Sequence, residues 1–183
     1  MVQPGPGILL IADPFLKDPN FLRTVVLLCE HEQTGTVGFV LNKKYELTLD
    51  QLIDGMEAHP LTVYNGGPVQ PDTLHFLHQY PNLIPGSCKV SDDIYWGGNF
   101  ETLSALIKTN SIDPEKIKLF VGYSGWGAGQ LQDELTEKTW LTVPTNCNLV
   151  FHTTETEIWK QSLTLLGGEF ERMIHYPLDP RLN

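Results

Sequence analysis

RTVVLLCEHEQTGTVGFVLN, residues 23–42, contains a predicted central strand and the hairpin that follows it. Residues 23–31 are rich in β-branched and apolar side chains, which is typical of a central β-strand. Residues 32–35 have the composition of a hairpin turn, so residues 36–42 are predicted to form a second strand antiparallel to the first. This hairpin favours a mixed, largely antiparallel sheet over a strict series of parallel βαβ units.

The rest of the chain predicts short strands and helices in irregular alternation. Strands are predicted over residues 7–12, 61–64, 73–78, 94–96, 118–123 and 148–151, with residues 94–96 at a sheet edge. Helices are predicted over residues 48–55, 100–108 after an Asn99 cap, 130–138, 155–166 after a Thr154 cap, and 170–174. No linker divides the chain, so we expect one α/β (α+β) domain over residues 1–183, with helices packed on the sheet.

Composition and charge argue against several classes of function. The chain has 183 residues and a formal net charge of −10, and its lysines and arginines form no cluster. Nucleic-acid binding depends on clustered cations, so direct nucleic-acid binding is not expected, and neither is binding to a membrane surface. The N-terminus does not resemble a signal peptide, and the longest apolar run, residues 24–29, is too short to cross a bilayer. Three cysteines without a CxxC pair suit a reducing compartment, so we expect a cytoplasmic protein.

The most suggestive segment for chemistry is GYSGWGAGQL, residues 122–131. It is predicted to be a loop between a buried strand and a helix, where backbone N–H groups and a helix N-terminus suit an anion. Gln130 stands where a dinucleotide fingerprint needs its third glycine, and Trp126 stands where a nucleophile elbow around Ser124 needs its last glycine. Tight structural turns, a ligand site and a Ser124 nucleophile all stay open, and no catalytic residue is assigned.

Other turns could contribute to the same cleft. Arg23 is predicted either to pair with Asp13 or Asp18 or to clamp an anionic ligand. Glycine pairs at residues 66–67 and 97–98 are most simply sharp turns, although they could converge with residues 122–131. The predicted ligand-binding residues are Arg23, Asn42, Gly66, Gly67, Ser124, Gly125, Trp126, Gly127 and Gln130.

The remaining titratable residues give weaker signals. Cys29 and His31 would share one face of a strand, which leaves core packing, a redox-sensitive thiol or a catalytic pair as alternatives. His75 and His78 would face opposite ways on a strand, and no zinc-type spacing occurs, so neither a metal nor a cofactor is predicted. The acidic residues Asp133, Glu134 and Glu137 are expected on a solvated helix face.

Several of these stretches, taken in order, resemble the YqgE/AlgH family of bacterial proteins. The matching stretches are GILLIA (residues 7–12), FLRTVVLLCEH (21–31), GTVGFVLN (35–42), GGPV (66–69), GYSGWGAGQL (122–131), Trp140 and DPRLN (179–183). The resemblance implies a single α/β domain with a mixed, strongly curved, partly barrel-like sheet flanked by helices. The family takes its name from a proposed role in regulating alginate production, and many members are described as transcriptional regulators. It has no established catalytic residues to carry over.

These observations favour a non-enzymatic regulatory or adaptor domain. Its partner would be another protein or a small anionic molecule bound at a glycine-rich cleft, and any effect on transcription would be indirect, because the chain has no basic recognition helix. One alternative is a hydrolase or redox enzyme that uses Ser124 or Cys29. A further alternative is direct DNA binding, which rests on the family description alone.

Overall fold

The computed structural model describes residues 1–16 and 18–176. Within these residues the chain forms nine strands: β1 (Ile8–Ala12), β2 (Val25–Glu32), β3 (Gly35–Val40), β4 (Val63–Asn65), β5 (Val69–His78), β6 (Cys88–Ser91), β7 (Ile94–Trp96), β8 (Ile117–Gly127) and β9 (Trp140–Pro144). The α-helices are α1 (Leu49–Leu52), α2 (Phe100–Lys108), α3 (Gln130–Thr136), α4 (Ile158–Leu166) and α5 (Phe170–Met173). A 3₁₀ turn spans Pro114–Lys116 and a π-helical turn spans Asn148–His152. The C-terminal motif at residues 179–183, with the predicted tail around Pro177 and Pro180, lies outside the described residues.

The strands form one curled sheet in the order β6-β7-β5-β8-β3-β2-β1-β9, and β4 pairs with β8 off this path. All strand pairs in the described residues are antiparallel except β4 with β8. The sheet curls into a half-barrel with helices against it. The predicted mixed, largely antiparallel and partly barrel-like α/β fold is therefore confirmed.

The central hairpin has the predicted form. Strands β2 and β3 are antiparallel, with Leu27 opposite Phe39. Residues 25–29 are buried on both faces, which explains their continuous apolar run. The register shifts between Leu28 and Glu30, so Cys29 lies in a β-bulge at the point where the strand leaves the core.

Three groups of buried apolar side chains form the core. The largest lies between the sheet and helices α4 and α5 and includes Leu27, Phe39 and Trp159. A second group packs beneath α1 and α2, and a third beneath α3. Asn99 caps α2 by accepting the N–H of Thr102 at 2.7 Å, as its sequence predicts.

Two predicted strands differ in the structure. Residues 94–96 are not at an edge, because β7 pairs with both β5 and β6. Residues 148–151 form a π-helical turn rather than a strand. Their apolar side chains Leu149 and Val150 reach the core from that turn, and a short apolar run is ambiguous between helix and strand.

Four further features also differ from the prediction: the start of one helix, two strands and one loop. Helix α4 begins at Ile158 rather than residue 155, because Thr154 O accepts the N–H groups of Glu157 and Ile158 in a preceding turn. Strands β6 and β9 were not predicted. The glycine-rich residues 122–127 continue β8 and are not a loop, since they pair with β3 through Gly125 and Gly127. Only residues 128 and 129 connect β8 to α3.

A close backbone approach positions β4 against β8. Gly66 accepts the N–H of Val40 and donates its own N–H to Val121 O, both at 2.9 Å, so it joins the strands where β3 and β8 separate. Gly67 has φ +151°, and a Cβ on it would lie 2.3 Å from the carbonyl carbon of Tyr123. No residue other than glycine fits there without moving the backbone of β8.

We expect Gly67→Ala to destabilise the fold by about 3 kcal/mol or more, because backbone strain adds to overpacking against a central strand. Gly129→Ala is the matched control, since Gly129 also has a positive φ, +79°, but a Cβ there meets no atom within 4 Å. The control is expected to cost about 1–2 kcal/mol of backbone strain. Urea unfolding of both variants measures the difference. Equal losses would contradict the close approach.

His78 is a fully buried histidine with both ring nitrogens in hydrogen bonds. Nδ1 accepts the N–H of Tyr80 at 3.0 Å, so Nε2 is the atom that carries the proton and donates to Gly97 O at 3.0 Å. Burial lowers the pKa of His78, although the bond to Gly97 partly offsets this. A second proton on Nδ1 would face the Tyr80 N–H, so the folded chain favours the neutral ring.

The fold should therefore lose stability as the pH falls below about 6.5, the ordinary pKa of histidine, because the unfolded chain takes up this proton more readily. We expect the free energy of unfolding to drop between pH 7.5 and 5.5, and to drop less in His78→Phe. Urea titrations at both pH values measure it, with the exposed His152 changed to Gln as the control. A His78→Phe pH response equal to that of the unchanged chain would rule out His78 as a cause.

Candidate functional site

The structure divides the predicted ligand-binding residues into three groups. Arg23 and Asn42 lie together at the start of β2, Gly66 and Gly67 lie against Ser124 within the sheet, and residues 125–130 lie near α3. The second glycine pair, Gly97–Gly98, lines a separate apolar cavity of about 510 Å³ beside Trp96 and Phe100. The glycine-rich turns therefore meet only in part.

Arg23 is held by contacts within the chain. Its backbone has φ +50°, and its carbonyl accepts the Asn42 Nδ2–H at 2.9 Å. The guanidinium lies 4.8 Å from the centre of the Trp159 ring, and Nη2 donates to Tyr176 O. The predicted ion pair with Asp13 or Asp18 does not form, since the ion pairs of the described residues do not include Arg23; the two carboxylates accept N–H groups of their own turns.

Ser124 has a structural position. It is fully buried, and its hydroxyl donates to Gly66 O at 3.0 Å. The hydroxyl thus fastens the Gly66–Gly67 turn to β8. A serine nucleophile needs an adjacent base and access to substrate, and this geometry offers neither.

The side chains of Cys29 and His31 also lie in different environments, one buried and the other exposed. The Cys29 thiol is buried among apolar side chains, and burial, followed by the charge of Glu30, raises its pKa. His31 is exposed and its Nδ1 lies 2.6 Å from the hydroxyl of Thr36. A raised thiol pKa disfavours the reactive thiolate, so this geometry lends no support to a redox role.

Residues 125–130 form a hydrogen-bonded network around Glu134. The indole N–H groups of Trp126 and Trp140 donate to Glu134 Oε2 at 2.8 and 2.7 Å. Gln130 Nε2 donates to Glu134 Oε1 at 3.0 Å, while Gln130 Oε1 accepts the N–H of Gly127 at 3.0 Å. The N–H of Gly127, one of the backbone donors predicted to suit an anion, is therefore already occupied.

This network forms one wall of a groove of about 350 Å³, which we call the aromatic groove. Its aromatic walls are Phe21, Trp126 and Trp140, and its carboxylates are Asp18 and Glu134. The ring of Phe21 lies edge-on to Trp140, with centroids 5.4 Å apart. None of the described lining residues is a lysine or arginine. A cavity of about 60 Å³ adjoins the groove at Pro68 and contains Lys43.

Among the described residues, Glu134 in the groove has no basic partner. The ion pairs of the described residues join Lys44 to Glu155, Lys89 to Asp92 and Lys160 to Glu157, and none involves Glu134. Lys43 Nζ donates to Pro19 O at 2.7 Å, and burial lowers its pKa while the charge of Asp18 acts in the opposite direction. Within residues 1–16 and 18–176, Glu134 is thus held by three uncharged donors.

Sequence reasoning missed Glu134, Phe21 and Trp140 as members of a site. The prediction that Glu134 lies on a solvated helix face is wrong, since the residue is half-buried and accepts three side-chain hydrogen bonds. The Gln130–Glu134 spacing of four residues on a predicted helix was a usable signal. Nothing local links Glu134 to the tryptophan indoles, because those contacts depend on how α3 lies across β8 and β9.

The described residues contain neither a metal-binding cluster nor a membrane-spanning helix. No group of three or more His, Cys, Asp or Glu side chains is arranged to hold a metal ion there. None of the helices in residues 1–16 and 18–176 is both long enough and apolar enough to span a bilayer.

Comparison of the chain with known proteins gives consistent relatives. A family described as AlgH-like matches residues 9–171. A UPF0301 protein of Chlorobium limicola is 41% identical over 178 residues, covering 97% of this chain and 95% of that protein. A UPF0301 protein of Cytophaga hutchinsonii is 39% identical and covers 97% of this chain and 98% of its own.

Solved structures agree with the fold. The solution structure of the AlgH protein of Pseudomonas aeruginosa is 29% identical with a TM-score of 0.75, and the alignment covers 97% of this chain and 98% of that one. The crystal structure of a Corynebacterium diphtheriae protein has a TM-score of 0.79 at 18% identity, over 96% of this chain and 94% of that one. This second likeness concerns the fold alone.

We expect Trp126→Phe to lower the free energy of unfolding by about 1.5–3 kcal/mol, the range for a hydrogen bond to a charged group. Trp96→Phe is the control, because Trp96 is half-buried and its indole makes no hydrogen bond in the described structure. The control is expected to cost under about 1.5 kcal/mol, as for a modest change of core volume. Urea unfolding compares the two. Equal losses would show that the bond to Glu134 contributes little.

Proposed function

We propose that this chain, which belongs to the AlgH-like family, is a non-enzymatic adaptor domain. The motifs that it shares with the family include no established catalytic residue. Its aromatic groove receives a lysine or arginine side chain of a protein partner. Any effect on transcription is then indirect. This proposal selects the protein partner from the two kinds predicted, since the acidic lining of the groove opposes a small anion.

The observation that carries the proposal is the state of Glu134. Its two carboxylate oxygens are fixed by the indoles of Trp126 and Trp140 and the amide of Gln130, without a basic partner in the described residues. A carboxylate held in place in this way loses little freedom on binding a cation. A guanidinium or ammonium group would supply the missing charge.

The surroundings of Glu134 favour a cationic side chain on a protein. Asp18 adds a second carboxylate at the exposed side of the groove, and Phe21 offers a half-buried ring to a cation and its aliphatic stem. The net charge of −10 would attract a basic surface over a longer range and speed association. The same charge opposes direct binding to DNA.

The enzymatic alternatives have less support. The Ser124 hydroxyl is fully buried in a bond to Gly66, and the Cys29 thiol is buried with a raised pKa. Both positions are explained by packing. A binding role uses groups that packing alone does not explain, chiefly the uncompensated carboxylate in the groove.

Selection of phage-displayed random dodecapeptides on the immobilised full chain tests the proposal. We expect the selected peptides to be enriched in arginine or lysine, and Asp18→Lys to weaken a selected peptide about tenfold, since close attractive and repulsive pairs each contribute about 1 kcal/mol. Asp133→Lys is the control, because it makes the same change of charge at an exposed residue of α3 outside the groove. Calorimetry measures both affinities.

Peptides without basic enrichment would overturn the proposed chemistry of the partner. Equal weakening by Asp18→Lys and Asp133→Lys would mean that net charge, rather than the groove, attracts the peptide. Either result would mean that the aromatic groove has only a structural role.

A further inference from the structure

A second site lies on the first half of β8, where Lys118 is almost fully buried. Only 6% of the residue is exposed. Its Nζ donates to Val150 O at 3.1 Å and lies 4.1 Å from the centre of the Tyr64 ring. One carbonyl and one aromatic face leave the other N–H groups of the amine without an acceptor in the described residues.

The carboxylate near Lys118 is bound to other groups. Tyr64 donates its hydroxyl to Glu155 Oε1 at 2.6 Å, and Lys44 Nζ lies 3.5 Å from the same oxygen. Lys118 forms no ion pair with Glu155 or with any other carboxylate in the described residues. A buried ammonium without a carboxylate partner is unfavourable, so burial lowers the pKa of Lys118 below that of an exposed lysine.

The amine borders a cavity of about 290 Å³. Tyr64, Phe151, Leu119 and Thr62 line it together with Lys118, and Glu115 of the 3₁₀ turn contributes a carboxylate. The cavity is large enough for a small organic molecule, and its walls offer polar and apolar surface in similar amounts. It lies at the opposite half of β8 from Gly125 and Trp126, so it is separate from the aromatic groove.

We propose that Lys118 is a nucleophile that forms a Schiff base with a small uncharged aldehyde or ketone bound in this cavity. Buried lysines are suited to this chemistry because only the neutral amine attacks a carbonyl carbon. The site is not part of the proposed adaptor function and is independent of it. The acidic Glu115 in the wall disfavours a carbonyl compound that also carries a carboxylate or phosphate.

The reaction balances without an oxidant or reductant. The lone pair of Nζ attacks the carbonyl carbon, a C–N bond forms, and the carbonyl electron pair moves to oxygen. That oxygen takes up a proton as Nζ loses one, which gives a carbinolamine. The C–O bond then breaks and the oxygen leaves as water with the second Nζ proton, so the products are the imine and one water molecule.

The pH dependence of this reactivity follows from the surroundings of the amine. Burial lowers the pKa of Lys118 to about 8, with the charge of Glu155 raising it and that of Lys44 lowering it. The titratable and charged groups that face the cavity and Lys118 are Glu155, Lys44, Tyr64 and Glu115. Reactivity should therefore rise with a midpoint near pH 8, whereas exposed lysines react only at higher pH.

Reductive trapping on the intact chain tests the proposal. The chain is incubated with hexanal and cyanoborohydride between pH 6.5 and 9.5, and mass spectrometry of peptides measures the alkylation rate of every lysine separately. At pH 7.5 we expect Lys118 to react at least about tenfold faster than exposed Lys44, because more of its amine is neutral. The Lys118 rate should also saturate with hexanal concentration, as binding in a cavity requires.

Two variants complete the test. Lys118→Met keeps an apolar stem and should remove only the fast, saturable labelling, while Lys108→Met, at an exposed lysine of α2 that does not line the cavity, should leave that labelling in place. Slow or absent labelling of Lys118 while exposed lysines are labelled would overturn the proposal. So would a Lys118 rate that increases linearly with hexanal. The rates in the unchanged chain decide the matter even if Lys118→Met fails to fold.

Discussion

The backbone approach of Gly66 and Gly67 to β8 is the constraint on which the rest of the structure depends. Gly66 bonds to both Val40 and Val121, so β4 occupies the gap where β3 and β8 separate. The chain can pass this close because a Cβ on Gly67 would fall 2.3 Å from the backbone of Tyr123. This crossing connects the two parts of the curled sheet and places Pro68 beside Gly125 at the aromatic groove.

The same strand supports two sites with opposite electrostatic character. At its last residues Trp126 joins Trp140 and Gln130 in fixing the Glu134 carboxylate, and this leaves negative charge without a basic partner in the described residues. At its first residues Lys118 is buried without a carboxylate partner there, and burial lowers the pKa of its amine to about 8. Both groups are uncompensated within the described fold, and packing alone does not explain either of them.

The sequence predicts features that depend on local chemistry. The β2–β3 hairpin, the Asn99 cap of α2 and the buried start of β8 follow from turn composition, capping and apolar runs. The glycine-rich end of β8 was predicted as a loop because its glycines are typical of turns, but Gly122 lies within the strand, where a Cβ would come within 2.6 Å of Gly67 O. Likewise, the hydrogen bonds of Glu134 depend on residues 126, 130 and 140 lying close together, which no local sequence pattern predicts.

An NMR titration that observes the indole N–H signals tests directly whether the aromatic groove binds a cationic side chain. The probe is N-acetylarginine methylamide, with inorganic phosphate as the comparison. We expect N-acetylarginine methylamide to shift the indole N–H signals of Trp126 and Trp140, which bond to Glu134. The indole N–H signal of Trp159, which bonds to Ala12 O, should not shift. Unchanged Trp126 and Trp140 signals, or a shift produced by phosphate instead, would contradict the proposed binding.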